Sequence, residues 1–360
     1  MSRTYNFSAG PAMLPEPVLA KVQSELLEFG DARASVMEIS HRGAAFGEIA
    51  AQAEADLRAL LDIGDEYAVL FLQGGATAQF SQLAMNLSAA NQSADYLITG
   101  SWGKKAMAEA SNWCQTRCVA SAEADGFRGV PDPSQWDLDP DAAYLHITPN
   151  ETIVGVALDG VPRTAEVPVV ADMSSCILSE PLDVSRFGLI YAGAQKNIGP
   201  AGMAIVIVQR ALLGHKPRPL PGYFDYRVQD AAGSMFNTPP TFAWYVAGEV
   251  FKWLVECGGV QEMKSRNRAK AALLYACIDA SAFYANPVDK PFRSMMNIPF
   301  TLADSTLDQA FLSQATEAGL LGLKGHRLVG GMRASIYNAM PLQGVQALTD
   351  FMRDFEQRQA

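Results

Sequence analysis

The sequence predicts an α/β protein built on a mainly parallel sheet, and three observations carry that expectation. Short apolar runs of strand length, at 69–72, 96–98, 167–170, 189–192 and 203–208, alternate with stretches of helical period. The runs are continuous instead of alternating apolar with polar, which is the pattern of strands covered by helices on both faces. Segment 48–61 is rich in Ala and Leu with Glu54, Asp56 and Arg58 interleaved, and reads as one of the covering helices.

Further along, Pro and Gly mark loops at 130–141 and at 216–223, the second with Pro217, Pro219 and Pro221 spaced by two. From 241 to 279 the pattern is helical, and 293–300 returns to strand character. A smaller C-terminal α+β domain is therefore expected to begin near residue 260, giving two domains in 360 residues. No internal repeat and no low-complexity tract is visible.

Composition excludes several functions. With 49% hydrophobic residues and a mean hydropathy near zero, the chain is long enough to bury one or two sizeable cores. A net charge of −10 argues against nucleic acid, whose binding draws on clustered Lys and Arg. No signal-peptide pattern opens the sequence, and its most apolar run is far shorter than the ~20 residues of a membrane helix, so no membrane partner is expected. Five scattered cysteines without a Cys-x-x-Cys pair indicate neither a disulfide framework nor a metal site, and a reducing cytoplasm is the expected location.

The chemistry concentrates at strand ends. The run Val167-Pro-Val-Val-Ala-Asp172 ends in a carboxylate followed by Ser174 and Ser175, at the edge where open α/β sheets bind ligands. A lone lysine, Lys196, follows another apolar run and precedes the turn Ile198-Gly-Pro-Ala-Gly202. Partial burial would disfavour its ammonium form and supply a neutral nucleophilic amine. Asp172 suits the protonated nitrogen of a pyridine ring such as that of pyridoxal phosphate. Spacing alone is equally compatible with a lysine snorkelling from a strand end and an aspartate capping a helix.

Around these two residues, a strand, the turn Gln73-Gly-Gly75 and a helix carrying Ala76 and Thr77 near its start suit an anion, although a ligand-free tight turn has the same form. The turn lacks the Gly-Lys-Ser/Thr of a nucleotide P-loop and the third glycine of a dinucleotide fingerprint. Trp102, in a glycine-flanked loop, suits either core packing or stacking on a flat ring. Basic residues cluster at His41-Arg42 and from Lys324 through His326 and Arg327 to Arg333. Those clusters suit a small di- or trianion as well as they suit a solvated surface; Arg333, in a small and apolar stretch, needs a partner if buried.

Taken together, the segments resemble the phosphoserine aminotransferases of the pyridoxal-phosphate-dependent class V family. The most specific blocks are Val36-Met-Glu-Ile-Ser-His-Arg-Gly43, Pro149-Asn-Glu-Thr152, Tyr191-Ala-Gly-Ala-Gln-Lys-Asn-Ile-Gly-Pro200, Gly233-Ser-Met-Phe-Asn-Thr-Pro-Pro-Thr-Phe242 and Gly325-His-Arg-Leu-Val-Gly-Gly-Met-Arg-Ala-Ser335. The resemblance runs over essentially the whole chain. It implies an aspartate-aminotransferase-like (fold type I) architecture, with a large domain over 16–260 around a seven-stranded sheet and a small one made of 261–360 with the arm 1–15. It also implies amino transfer from L-glutamate to 3-phosphohydroxypyruvate in serine biosynthesis, and in bacteria a related step toward pyridoxine.

By the same resemblance Lys196 is the covalent attachment point and Asp172 the partner of the ring nitrogen. Trp102 stacks on the ring, Thr152 bonds the phenolic oxygen, and Ala76, Thr77 and Gln195 hold the phosphate. Asn237 and Thr238 reach that phosphate from the second subunit of a homodimer. His41, Arg42, His326, Arg327 and Arg333 take the substrate anions, Arg333 the α-carboxylate. Some family members have an arginine where Thr77 stands and a serine where Ala9 stands, so the distal anion is expected to rest more heavily on His41, Arg42, His326 and Arg327. Two other readings fit parts of the sequence: a related lyase using a cysteine such as Cys176, and a silent scaffold on the same fold.

Overall fold

The computed structural model describes residues 3–359 except 90, 163, 165 and 215–217. Its centre is a seven-stranded sheet whose spatial order is Tyr67–Gln73, Met203–Gln209, Leu189–Gly193, Val169–Asp172, Leu145–Ile147, Ser93–Ile98 and Gln115–Ser121. All strands run one way except Met203–Gln209, which is antiparallel to both neighbours. Nearly every residue of the inner strands is buried, because helices cover both faces; this is why their sequences are continuously apolar.

Element ends shift from the sequence reading for local reasons. The 167–170 run pairs only from Val169, since Pro168 has no N–H to give and contributes only its carbonyl, to Leu145. The helix expected over 48–61 begins earlier and spans Ala44–Leu61, behind an extended Gly43. The helical stretch from 241 is two helices, Thr241–Glu256 and Gly259–Asp279, broken at Gly258, where φ is +95°. Strand character near 293 starts only at Asn297, because the Ser294 hydroxyl accepts the Met296 and Asn297 N–H groups and folds that stretch into a turn. Of the proline loop, Lys216 and Pro217 lie outside the described residues.

Packing separates two sets of contacts. One core fills the face of the sheet covered by Ala44–Leu61 and Thr241–Glu256 and reaches Met263, with a companion cluster on the opposite face around Phe80, Tyr96 and Tyr144. A separate core begins at Ala271, in the same Gly259–Asp279 helix, and runs to Phe355 around the antiparallel strands Tyr284–Ala285, Asn297–Leu302 and Met332–Ser335. The N-terminal arm joins that second core: Tyr5–Asn6 pairs in parallel with Leu320–Leu321, and Phe7 is fully buried there. Farther on, the Ala12 N–H donates to the Gln195 carbonyl at 2.9 Å, so the arm ends against the central sheet. Among the described residues no helix is long and apolar enough to cross a membrane.

The antiparallel strand should be indispensable. Ile205 is fully buried and lies opposite Phe71 and Ala192 on its two neighbours. Ile205→Ala is expected to cost about 2–5 kcal/mol of unfolding free energy by urea titration; a loss well under 1 kcal/mol would contradict this packing.

Candidate active site

The connections that leave the carboxyl edge of the sheet converge on one cavity. Its anchor is the turn between Leu189–Gly193 and the antiparallel Met203–Gln209. The Ala194 N–H donates to Met203 O at 2.9 Å, and the Ile198 and Gly199 N–H groups both donate to Ala194 O, at 3.1 and 2.7 Å. Lys196 therefore rises from a backbone held on both sides by the sheet. Its amine donates to Thr152 Oγ1 at 2.6 Å. Burial lowers the amine's pKa and outweighs the opposing pull of Asp172, Glu151 and Cys176, while the Arg333 charge lowers it further.

Asp172 ends the Val169–Asp172 strand and is buried. Its Oδ1 accepts both the N–H and the hydroxyl of Ser174, at 3.0 and 2.5 Å, and that hydroxyl accepts the Gly193 N–H at 3.0 Å. The carboxylate is thus oriented through one oxygen, which leaves Oδ2 for another donor.

At the adjacent strand end, Gly74 takes a φ of +99° and opens the Gly75–Leu87 helix with no side-chain cap. Its first N–H groups are left to an incoming anion. Ala76, Thr77, Trp102, Asp172, Gln195 and Lys196 all line one cavity of about 330 Å³. The Trp102 ring lies 5.5 Å from the Lys196 amine.

Of the other residues expected at the site, Thr152, His326, Arg327 and Arg333 do not line this cavity; Arg333 reaches it through Thr152, and Lys105 stands over the Trp102 ring. His326 is held below its ordinary pKa first by partial burial and then by Arg333, Lys105 and Arg327, so four basic side chains share one field. Arg333 donates weakly to the Thr152 carbonyl at 3.4 Å, its Nε is buried without an acceptor, and burial lowers its pKa. An anion entering the pocket would relieve that unpaired charge. Cys176, by contrast, has its thiol pushed far up by burial, with Asp172 adding to the effect, so it is not a thiolate nucleophile.

Not every residue read from the sequence comes to this cavity within one chain. His41 and Arg42 sit in the turn before the Ala44–Leu61 helix, where the Arg42 N–H donates to the Ser40 hydroxyl, and neither lines the pocket. Asn237 and Thr238 are exposed beside it; the Thr238 carbonyl accepts from Gln73, at the end of the strand that leads into the glycine turn. Two residues at the site, Lys105 and Glu151, were not singled out from the sequence, and Ser174 was read only as a hydroxyl following Asp172. Ser174 orients Asp172, Lys105 stands 4.5 Å over the Trp102 ring, and buried Glu151 accepts the Trp102 and Gly103 N–H groups. Lys105 had a signal, lying three residues after Trp102 on the helix Ser101–Ala110 and therefore on its face.

This geometry suits pyridoxal phosphate. A depressed lysine faces an oriented carboxylate across the cavity, an uncapped helix start stands beside them, and the Trp102 Nε1 and Arg333 Nε atoms are buried without partners. The family model for class-V aminotransferases matches residues 4–348. The chain belongs to the class-V aminotransferase family. Over 359 residues it is 56% identical to a phosphoserine aminotransferase of Stenotrophomonas maltophilia, with 99% of each chain covered. It is similar to the solved phosphoserine aminotransferase of Bacillus circulans subsp. alkalophilus, at 45% identity, a TM-score of 0.97 and 99% coverage of each chain. The PLP-bound phosphoserine aminotransferase of Trichomonas vaginalis is 39% identical with a TM-score of 0.92, over 98% of this chain and 100% of that one.

For this class-V aminotransferase the burial of Lys196 has a direct readout. In cofactor-free protein, pulsed acetylation followed by mass spectrometry should modify Lys196 at a lower pH than the exposed Lys252. An equal or higher midpoint for Lys196 would show that burial does not control its amine.

Proposed function

We propose that this chain moves an amino group from L-glutamate to 3-phosphohydroxypyruvate, giving O-phospho-L-serine and 2-oxoglutarate, with Lys196 as the residue that binds pyridoxal phosphate. The observation that carries the reading is one cavity lined by both Lys196 and Asp172, with Arg333 bonded behind it to the Thr152 carbonyl. Pyridoxal phosphate supplies the aldehyde that takes the amino group and an electron-poor ring that spreads negative charge from the substrate's α-carbon.

The chain's own residues do the rest. Asp172, fixed through Oδ1 by Ser174, offers Oδ2 to the protonated ring nitrogen and keeps the ring electron-poor. Trp102 closes one wall, and the uncapped start of Gly75–Leu87 with Ala76 and Thr77, aided by Gln195, takes the cofactor phosphate. Thr152 holds the free Lys196 amine and, once that amine is bound to the cofactor, would be free to donate to the phenolic oxygen. Once displaced, that amine, kept weakly basic by its surroundings, carries the proton away from and back to the substrate's α-carbon. Arg333 pairs with the α-carboxylate, and His326 and Arg327 meet the distal phosphate or γ-carboxylate.

Asn237, Thr238, His41 and Arg42 stand outside the cavity of their own chain, and we assign them to the cavity of a second copy, which makes the working unit a homodimer. We place the division between the two domains inside the Gly259–Asp279 helix, a few residues past the expected 260, on the change of core between Met263 and Ala271.

Purified protein given phosphoserine and 2-oxoglutarate should release glutamate, and borohydride reduction should fix the cofactor's mass on the Lys196 peptide. Lys196→Ala should lose both, with turnover down by roughly 10²–10⁴-fold or more; a label on any other lysine overturns the assignment. Arg333→Ala should raise KM for phosphoserine and glutamate alike, by about 10–100-fold, because each loses a charge-assisted hydrogen-bonding partner. Unchanged KM for either substrate would remove Arg333 from the α-carboxylate.

A further inference from the structure

Glu151 is fully buried, and none of the steps above uses it. Both its carboxylate oxygens accept the Trp102 N–H, at 3.1 Å each, and Oε1 also accepts the Gly103 N–H at 2.9 Å. Those N–H groups belong to the first turn of the helix Ser101–Ala110, whose preceding residue, Gly100, supplies no cap of its own. A carboxylate from 49 residues away along the chain therefore does the work of an N-cap side chain, and it sits at the end of the helix that favours negative charge. The backbone makes room for it: a Cβ on Gly100 would fall 2.4 Å from the Glu151 carboxyl carbon, so no other residue fits there without displacing the acid.

The next residue, Thr152, accepts from the Lys196 amine and, through its carbonyl, from Arg333. On the other side, the Asn150 side chain donates to Ser175 and to Asn297 of the second core, so both neighbours of Glu151 are pinned. Charged groups that act on the Glu151 carboxyl are Asp172 and Lys196.

We infer that Glu151 is a positioning residue for the Lys196 reaction: it fixes the turn that carries Trp102 into the cavity wall, and it sets a second negative charge beside the Lys196 amine. Burial pushes its carboxyl up to about 7, against the pull of the Gly103 and Trp102 N–H groups, so the strength of that charge varies near neutrality. The charge works to raise the Lys196 pKa, against the larger effect of burial, so removing it should lower the pH at which the amine loses its proton.

Two variants separate the two roles. Glu151→Gln keeps the size and loses the charge: in cofactor-free protein the Lys196 acetylation midpoint should move to lower pH. Glu151→Asp keeps a charge but withdraws it from the helix by one methylene. Its Lys196 midpoint should stay in place, while the dissociation constant for pyridoxal phosphate rises roughly tenfold with the loss of a charge-assisted hydrogen bond. Should Glu151→Asp not fold, Gly100→Ala, whose added Cβ pushes the carboxylate aside, takes its place with the same expected rise. A Glu151→Gln midpoint equal to that of the unsubstituted protein overturns the electrostatic role, and unaltered cofactor affinity in Glu151→Asp overturns the positioning role. A lower melting temperature with both readouts unmoved makes the residue a structural cap only and overturns both. The second readout rests on the cofactor reading above, which borohydride labelling of the unsubstituted protein decides separately; the acetylation readout does not depend on it.

Discussion

An amine has to be kept short of its proton in a pocket that also holds two carboxylates, and the rest of the site depends on how that conflict is resolved. Asp172 and Glu151 both favour the charged form of Lys196, and burial disfavours it by more. Each carboxylate bonds another partner, Asp172 through Oδ1 to Ser174 and Glu151 to the helix that carries Trp102. Had either been left to bond the amine directly, the result would be an inert ion pair. Thr152 takes the hydrogen bond instead, a neutral acceptor that holds the lysine without charging it.

The sheet topology makes that balance mechanically stable. The six strands that run together all end at the edge that carries the Lys196 turn, and the one antiparallel strand of the sheet, Met203–Gln209, pairs on both sides and closes that turn. An amine on a hairpin clamped into a sheet loses little conformational entropy when it is held in one position.

The strands were legible because they are buried on both faces, and such strands announce themselves as unbroken apolar runs. The same burial explains why Lys196 and Asp172 stood out, each the first charged group after such a run. Boundaries were less legible where a single side chain decided them, as Ser294 does before Asn297 and as Pro168 does before Val169. Glu151 was hidden for a different reason. Its partners are backbone N–H groups far along the chain, and a backbone donor leaves no mark in the residue types around it. His41, Arg42, Asn237 and Thr238 were legible as motifs, but none of them lines the cavity of its own chain.

The arm that opens the chain has its own implication. Phe7 is seated in the second core, Gly10 and Pro11 line the reactive cavity, and Ala12 is tied to the carbonyl just before Lys196. Six residues thus bridge the two halves at the point where chemistry happens, like a guy-rope strung between mast and deck. A rotation of one core against the other would have to slacken or tighten that tether, and the strain would fall on the backbone that carries Lys196.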